Sequence, residues 1–262
     1  MKRLGIGVAV LVLTLIFPVL SQTVLAKDAD NANDDIPEVN GDYPDPHHPG
    51  IRVRVFVHGP KAHAASPALV CTDPDSQTIT GPAGWKLPNG TWNYNLNPGS
   101  APSSILASNL PTIAANGFAQ YTSALSSSVA KPVFSLGPNT STSRTAYDGQ
   151  NIIAWNRLSA GTLGITYIRY STTTKVAVDV DTILNRRYAW NWNGGSSLLC
   201  PNPDSYDTQN ILTHEQGHWL GLDDEYAASF TNNTMFGYGA KGEVKKDTLT
   251  LGDIAGIKAI YP

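Results

Sequence analysis

The fourteen residues THEQGHWLGLDDEY (213–226) decide how this chain is read, because they gather two histidines, four carboxylates and two glycines in a sequence otherwise sparing with charge. The surrounding stretch YDTQNILTHEQGHWL (206–220) predicts a helix, with Ile211, Leu212, Glu215 and Trp219 spread around it. His214 and His218 are four residues apart. On a helix that is about 400° of turn, so both imidazoles leave one face, one turn apart. Two neutral imidazoles so placed suit zinc. Glu215 points in a neighbouring direction, within reach of a water on such an ion but outside its ligand shell. A catalytic zinc takes three protein ligands and keeps one position open. Gly221 can adopt a positive φ, end the helix and reverse the chain, which lets Asp224 swing back as the third ligand. Its neighbours Asp223 and Glu225 are one position off that spacing. Glu243 is a further alternative 25 residues after His218, in the glycine-bearing and poorly helical GAKGEVKKD.

HEQGHWLGLDD (214–224) resembles the extended zinc motif of the metzincin peptidases, H-E-x-x-H-x-x-G-x-x-H, with aspartate in the last slot as in snapalysin-like bacterial members. NNTMFGYG (232–239) supplies Met235, the only methionine besides Met1, where the resemblance places a methionine turn beneath the metal. GEVKKDTLTLGDIAGIKAIYP (242–262) looks like the terminal segment of bacterial matrixin-like enzymes. The resemblance spans roughly residues 84–262. It implies a secreted zinc endopeptidase in which metal-activated water attacks a peptide carbonyl and Glu215 is the general base. It also offers Tyr238 as a hydrogen-bond donor to the oxyanion, although Tyr238 follows Met235 one residue later than in those relatives. Aspartate in place of a third histidine lowers the net charge of the site from +2 to about +1. That weakens zinc as a Lewis acid and makes other hard divalent ions more competitive.

Outward from the motif, strand-like stretches occur at GTWNYNLNP (90–98), KPVFS (131–135), NIIAW (151–155), GITYIRY (164–170) and KVAVDVDTIL (175–184). Leu106, Leu110, Ile113, Phe118, Tyr121 and Leu125 have helical spacing, with Pro111 positioned to kink that helix or delay its start. Near the end Leu251, Ile254, Ile257 and Ile260 form one stripe, and Thr250 and Asp253 are a capping pair. The expected fold class is α/β (α+β): a metzincin-type catalytic domain with a twisted mixed sheet, an active-site helix, a Met-turn and a C-terminal helix over 84–262. Residues 1–26 read as a cleavable export signal, with Lys2 and Arg3 before an apolar run that is too short, and interrupted by Pro18, to be a stable membrane anchor. Residues 27–50 read as an acidic disordered linker, in which His47 and His48 are solvated. Residues 51–83 read as an N-terminal extension or pro-segment. It opens on IRVRVFV (51–57), which alternates like a half-buried strand.

Beyond the signal 16 basic groups face 21 acidic ones, seven of these within 27–50, so no basic field exists to hold nucleic acid. The expected partner is a protein or peptide substrate, and a monomer is expected. Asp179 and Asp181 share the polar face of a strand and read as solvated. Calcium is the second candidate cofactor there, although one pair of carboxylates is a thin ligand set. His58 and His63 read as surface or packing residues and Trp219 as packing. Two other functions compete with the main reading: a non-catalytic metal-binding surface or adhesion module, and a narrow-specificity processing protease. Binding alone would not need Glu215, which argues against the first. Cys71 and Cys200 are the only cysteines, and an even count in an exported chain predicts a disulfide. The rival role for Cys71, offered by the resemblance, is a pro-segment thiol that caps the metal. Thiol titration of denatured, unreduced protein is expected to find no free cysteine, and two free thiols would rule the bridge out.

Overall fold

The strand periodicities resolve into one sheet. In the computed structural model, which describes residues 36–61, 73–195 and 202–262, it has eight strands: β1 (Gly41–Pro44), β2 (Ile51–Pro60), β3 (Gly90–Leu96), β4 (Pro132–Leu136), β5 (Ile152–Asn156), β6 (Gly164–Ser171), β7 (Ala177–Asn185) and a short strand at Tyr238–Gly239. Two further two-residue strands, β8 (Trp190–Asn191) and β9 (Tyr206–Asp207), pair with each other, which makes Tyr238–Gly239 β10 in chain order. The sheet runs β1-β2-β6-β7-β5-β3-β4, with β10 against β2 off this path. β7, β5, β3 and β4 are mutually parallel, while β6 is antiparallel to both β2 and β7. The fold is therefore mixed α/β, with three α-helices among the described residues: α1 (Leu110–Ala124), α2 (Thr208–Trp219) and α3 (Leu251–Ile260). Among the described residues no helix is long and apolar enough to cross a membrane.

Each helix follows from local chemistry. α1 starts later than its apolar spacing allows because Pro111 occupies the first turn, where a missing N–H costs nothing. α2 is capped by Asp207, whose carboxylate accepts from the Asn210 amide at 3.0 Å. α3 carries the Thr250–Asp253 capping box. Leu110, Ile113, Phe118 and Tyr121 of α1 pack with Ile211, Leu212 and Trp219 of α2, Ile257 of α3 and Trp155, Ile168 and Leu184 of the sheet to form the larger core. Val53, Val55, Ile152, Ile165, Tyr167 and Ile183 form a second cluster on the other side of the sheet.

The N-terminal third departs from the expected organisation. Part of the acidic linker expected over 27–50 is structured. β1 pairs antiparallel with β2, and its charges find partners: Asp42 bonds Arg52 at 2.9 Å, and Asp45 bonds His48 at 2.9 Å. The extension expected over 51–83 shows no boundary at residue 84. β2 pairs with β6 along eight residues, Ile51–His58 against Gly164–Ser171. Residues 80–83 clamp the turn after α2, with Ala83 donating to Gly221 at 2.7 Å and Asp223 donating to Gly81 at 3.0 Å. The acid-rich composition concealed this, because backbone pairing is indifferent to side-chain charge. The export signal, Cys71, Cys200 and His63 lie outside the described residues.

The turn after α2 has the predicted form. Gly221 has φ +96°, and its amide bonds the His218 carbonyl at 3.0 Å. A Cβ at this position would run into the backbone carbonyl of Trp85. Gly221→Ala therefore meets both a positive φ and a backbone wall, and should destabilise the fold by about 1–3 kcal/mol in urea denaturation. A loss below about 0.5 kcal/mol, the level of an ordinary surface change, would contradict this account.

Candidate metal centre

The reversal at Gly221 returns the chain to α2 at Asp224. Asp224 Oδ1 lies 3.2 Å from His214 Nε2 and 3.5 Å from His218 Nε2, and the two Nε2 atoms are 3.2 Å apart. Neither His214 nor His218 is exposed, and the Asp224 side chain is 3 % exposed. The other ring nitrogens fix the tautomers. His214 Nδ1 faces the Thr234 carbonyl at 2.7 Å, and His218 Nδ1 faces the Leu222 carbonyl at 3.0 Å. A carbonyl only accepts, so each Nδ1 carries a proton. In the neutral rings both Nε2 atoms then present lone pairs to each other and to a carboxylate oxygen. Three converging lone pairs with no hydrogen between them call for a cation. The triangle also has a fitting size: tetrahedral bonds of about 2.0–2.1 Å put ligand atoms about 3.3–3.4 Å apart.

Electrostatics agree. Burial, reinforced by Lys246, pushes His214 down to about 3. Burial opposes charge on His218 as well, yet Asp224 and Glu215 lift its pKa above the ordinary histidine value. Burial also works against the Asp224 carboxylate, but His218 and His214 outweigh it and hold the group well below the usual range. The pocket thus favours an anion at Asp224 with positive charge beside it. The described residues contain two overlapping groups that could hold a metal ion, His214–His218–Asp224 and His58–His214–Glu215, which share His214.

Supporting contacts aim each ligand. The hydroxyl of Tyr226, the last residue of the quoted stretch, donates to Asp224 Oδ2 at 3.0 Å, which leaves Oδ1 directed at the imidazoles. Asn40 Nδ2 donates to the Tyr226 oxygen at 2.9 Å. The carbonyl that orients His214 belongs to Thr234, whose amide donates to Asp253 of the α3 capping box at 2.8 Å. Met235 is buried against α2 at Gly217. A Cβ on Gly217 of α2 would collide with its sulfur, and the Tyr121 hydroxyl approaches that sulfur at 3.8 Å while bonding the Thr213 carbonyl at 2.8 Å.

Glu215 lies beside the triangle and outside it. Its Oε2 accepts from Thr166 of β6 at 2.5 Å, while Oε1 is buried with no hydrogen-bond partner. Gly164 leaves room for that free oxygen, since a Cβ there would come within 2.7 Å of it. Burial lifts the Glu215 carboxyl to about 7, against the pull of His218. A buried carboxyl titrating near neutrality with one unoccupied oxygen is equipped to take and return a proton.

Other expectations fare differently. Asp223 turns away to Arg54 at 3.2 Å, and Glu225 accepts from the Gly81 amide at 2.8 Å. Glu243 faces Lys245 at 3.8 Å and is not part of the ligand group. Tyr238 is 39 % exposed and packs its ring against Tyr226 and Phe236. Trp219 packs as expected and donates to Thr182 at 2.8 Å. Asp179 and Asp181 are not solvated. They are at most 1 % exposed, and the guanidinium of Arg169 lies 2.9 Å and 3.5 Å from them. The cation beside this pair is thus an arginine side chain. Burial raises Asp179 to about 6 even so.

Three residues that sequence reasoning did not place at the centre lie against it. Phe56 stacks on His218 with ring centroids 3.7 Å apart, and His58 meets His214 edge-on at 3.9 Å. The Lys246 ammonium is fully buried, donates to the Phe236 carbonyl and lies 3.4 Å from His58 Nε2. Burial pulls it down to about 8. Arg54, Phe56 and His58 share strand parity, so the alternation was visible, but what would cover their face was not. Comparison with models of known families finds no match to this chain, and comparison with curated proteins finds none either.

Removal of the Tyr226 hydroxyl should loosen Asp224 without touching a ligand. Tyr226→Phe is expected to weaken zinc binding about 10-fold, and Asp224→Ala by more, in competition with a chromogenic chelator. Unchanged affinity in both variants would exclude Asp224 from the ligand set.

Proposed function

We propose that the chain is an exported zinc-dependent endopeptidase of metzincin type, with His214, His218 and Asp224 as the metal's protein ligands and Glu215 as general base. The observation that carries this reading is the free, buried Oε1 of Glu215 beside three lone-pair donors spaced for a tetrahedral ion. A purely binding site has no use for a base poised near neutral pH. When bound, zinc would acidify a water and polarise a peptide carbonyl. The protein's part is to hold the geometry and move the proton. Thr166 pins one oxygen of Glu215, so the other takes the proton from the attacking water and returns it to the leaving amine. The Thr166 hydroxyl also shares a 2.7 Å hydrogen bond with Thr182, which accepts from Trp219, so the base is anchored to both the sheet and its own helix. The methionine packed against α2, the glycine turn and the C-terminal helix are in keeping with the metzincin resemblance. The acidic third ligand favours its snapalysin-like branch.

One observation favours a second reading. His214, Glu215 and His218 are all 0 % exposed, as the ligands of a closed structural metal site would be. In that case the ion would only brace the fold, as in a non-catalytic binding module.

Glu215→Gln separates the two readings. It keeps the ligands and the shape but removes the base. It should bind zinc stoichiometrically by metal analysis, yet lose at least about 100-fold in hydrolysis of fluorescent casein. Chelation should abolish wild-type hydrolysis, and zinc should restore it. Full activity of the glutamine variant would refute the role given to Glu215. A wild-type protein that binds zinc and cleaves nothing would favour the structural site.

A further inference from the structure

Arginine is divided unevenly over this molecule. Arg52, Arg54 and Arg169 each face an aspartate: Asp42 at 2.9 Å, Asp223 at 3.2 Å and Asp179 at 2.9 Å. Arg144, Arg157, Arg186 and Arg187 are exposed and have no ionic partner among the described residues. A lone unpaired arginine on a surface is ordinary, but these four converge. Arg157 and Arg186 directly follow Asn156 and Asn185, which are partners in the parallel β5–β7 register, and the Arg186 amide donates to the Asn156 carbonyl at 2.8 Å. The side-chain amide of Asn156 donates to the Ser143 carbonyl at 3.0 Å, which brings Arg144 to the same place. Arg187 Nε donates to the Leu158 carbonyl at 2.6 Å, next to Arg157. We propose that these four arginines form an exosite that captures an acidic stretch of a polypeptide substrate beside the catalytic centre. The proposal rests on the peptidase reading and adds a substrate class to it.

The loops that carry the arginines are pinned by asparagines. Asn97 follows β3, Asn156 ends β5 and Asn185 ends β7, so the three stand at the carboxyl ends of parallel strands. Asn97 donates to the Thr142 carbonyl at 2.9 Å, beside the Ser143 carbonyl held by Asn156. Asn185 donates to the carbonyls of Ser159 at 3.0 Å and Thr162 at 2.6 Å, and its Oδ1 accepts from the amides of Leu158 at 3.1 Å and Arg187 at 3.0 Å. The crevice outside the carboxyl ends of such strands is where open α/β sheets receive ligands. Backbone fixed in this way keeps four like charges together against their mutual repulsion. In a chain of net charge −3 that is a local field made for an anion. A guanidinium meets a carboxylate with two parallel N–H donors, which suits arginine rather than lysine to aspartate and glutamate side chains.

Position favours a peptide over other anions. Leu184, two residues before Arg186, pairs with Gly164 across β6 and β7, and Gly164 borders the free oxygen of Glu215. The arginines therefore lie at the rim of the centre in which a peptide bond would be cut. At about 3.3 Å per extended residue, an acidic side chain roughly three to five residues from that bond reaches them. Glu38, from the chain's own acidic stretch, already comes to the margin of the patch: it accepts from the Ser159 hydroxyl at 3.4 Å and leaves the arginines unpaired.

Binding and cleavage are read separately. The full-length Glu215→Gln protein, which cannot consume a peptide, is titrated by fluorescence anisotropy with a fluorescein-labelled peptide of alternating aspartate and glycine, and with its serine–glycine counterpart. The aspartate peptide should bind at least about 10-fold more tightly at low salt and lose that advantage near about 0.5 M salt. Arg157→Gln with Arg186→Gln in the same background should weaken the aspartate peptide at least about 10-fold. Equal binding of the two peptides, or no effect of the double substitution, overturns the exosite. A heparin hexasaccharide that binds at least about 10-fold more tightly than the aspartate peptide assigns the patch to a sulfated polysaccharide and overturns it too. In the wild type with zinc, the aspartate peptide should raise KM for fluorescent casein, an acidic protein, at least about 3-fold while kcat holds, and the serine peptide should not. No rise in KM overturns the exosite and leaves the peptidase reading standing. If the wild type cleaves no casein, the peptidase reading fails, and the titrations still judge whether the arginines take an acidic peptide.

Discussion

Everything at the centre follows from two protons being held where they are. Thr234 and Leu222 turn their carbonyls to the Nδ1 atoms of His214 and His218, so the opposing Nε2 atoms are left 3.2 Å apart with lone pairs facing. Such an arrangement is repulsive unless positive charge enters it, and Asp224 adds a third electron-rich atom to the same point. The fold supplies the constraint from a distance. The Thr234 carbonyl is fixed because its amide is held by Asp253, which also caps α3 and accepts from Thr80 at 2.5 Å. The Leu222 carbonyl is fixed because the helix stops at Gly221, pressed against Trp85. A helix cap and a glycine turn therefore do the aiming, and the ligands have little freedom to relax away from one another.

What could be read from the sequence is what depends on short spacing. His214, Glu215 and His218 lie within two helical turns, so helical geometry alone places them, and Gly221 with Asp224 follows within one chain reversal. The Thr250–Asp253 cap is equally local. Tyr226 was within the quoted stretch, but its role depends on the side chain turning back to Asp224, which spacing does not reveal. His58 and Lys246 could not be found this way. They are 188 positions apart and meet the centre only because the sheet places β2 over α2. The alternation in IRVRVFV marks a strand but does not say whether the arginine-bearing face meets water or another element. Here it meets α2, the helix that carries His214 and His218. Arg54 accommodates this by lying over the Phe56 ring and reaching Asp223.

Asp179 and Asp181 show the same limit from another direction. Their alternation with Val178, Val180 and Thr182 reads as a wet face, yet the loop after β4 folds over them. Ala146 and Gly149 donate amides to these carboxylates at 3.0 Å, and Arg169 supplies the charge. A buried carboxylate pair needs a cation, and a neighbouring strand provides it as a covalently attached guanidinium. The region that would otherwise be an attractive calcium site is therefore neutralised from within the fold, whereas the His–His–Asp triangle has no such internal cation. Lys246 comes near but is committed to Phe236 and His58. The contrast locates the demand for an external ion around His214, which the His–His–Asp triangle shares with the adjoining His58–His214–Glu215 group.

Enclosure and reactivity then have to be reconciled. Burial gives Glu215 its pKa near neutrality and strengthens every electrostatic contact in the triangle, so the same exclusion of water that tunes the site also closes it. Phe56 of β2 stacks on His218 and His58 meets His214 edge-on, so the packing that shields the imidazoles from solvent is the packing that tunes the carboxyl beside them.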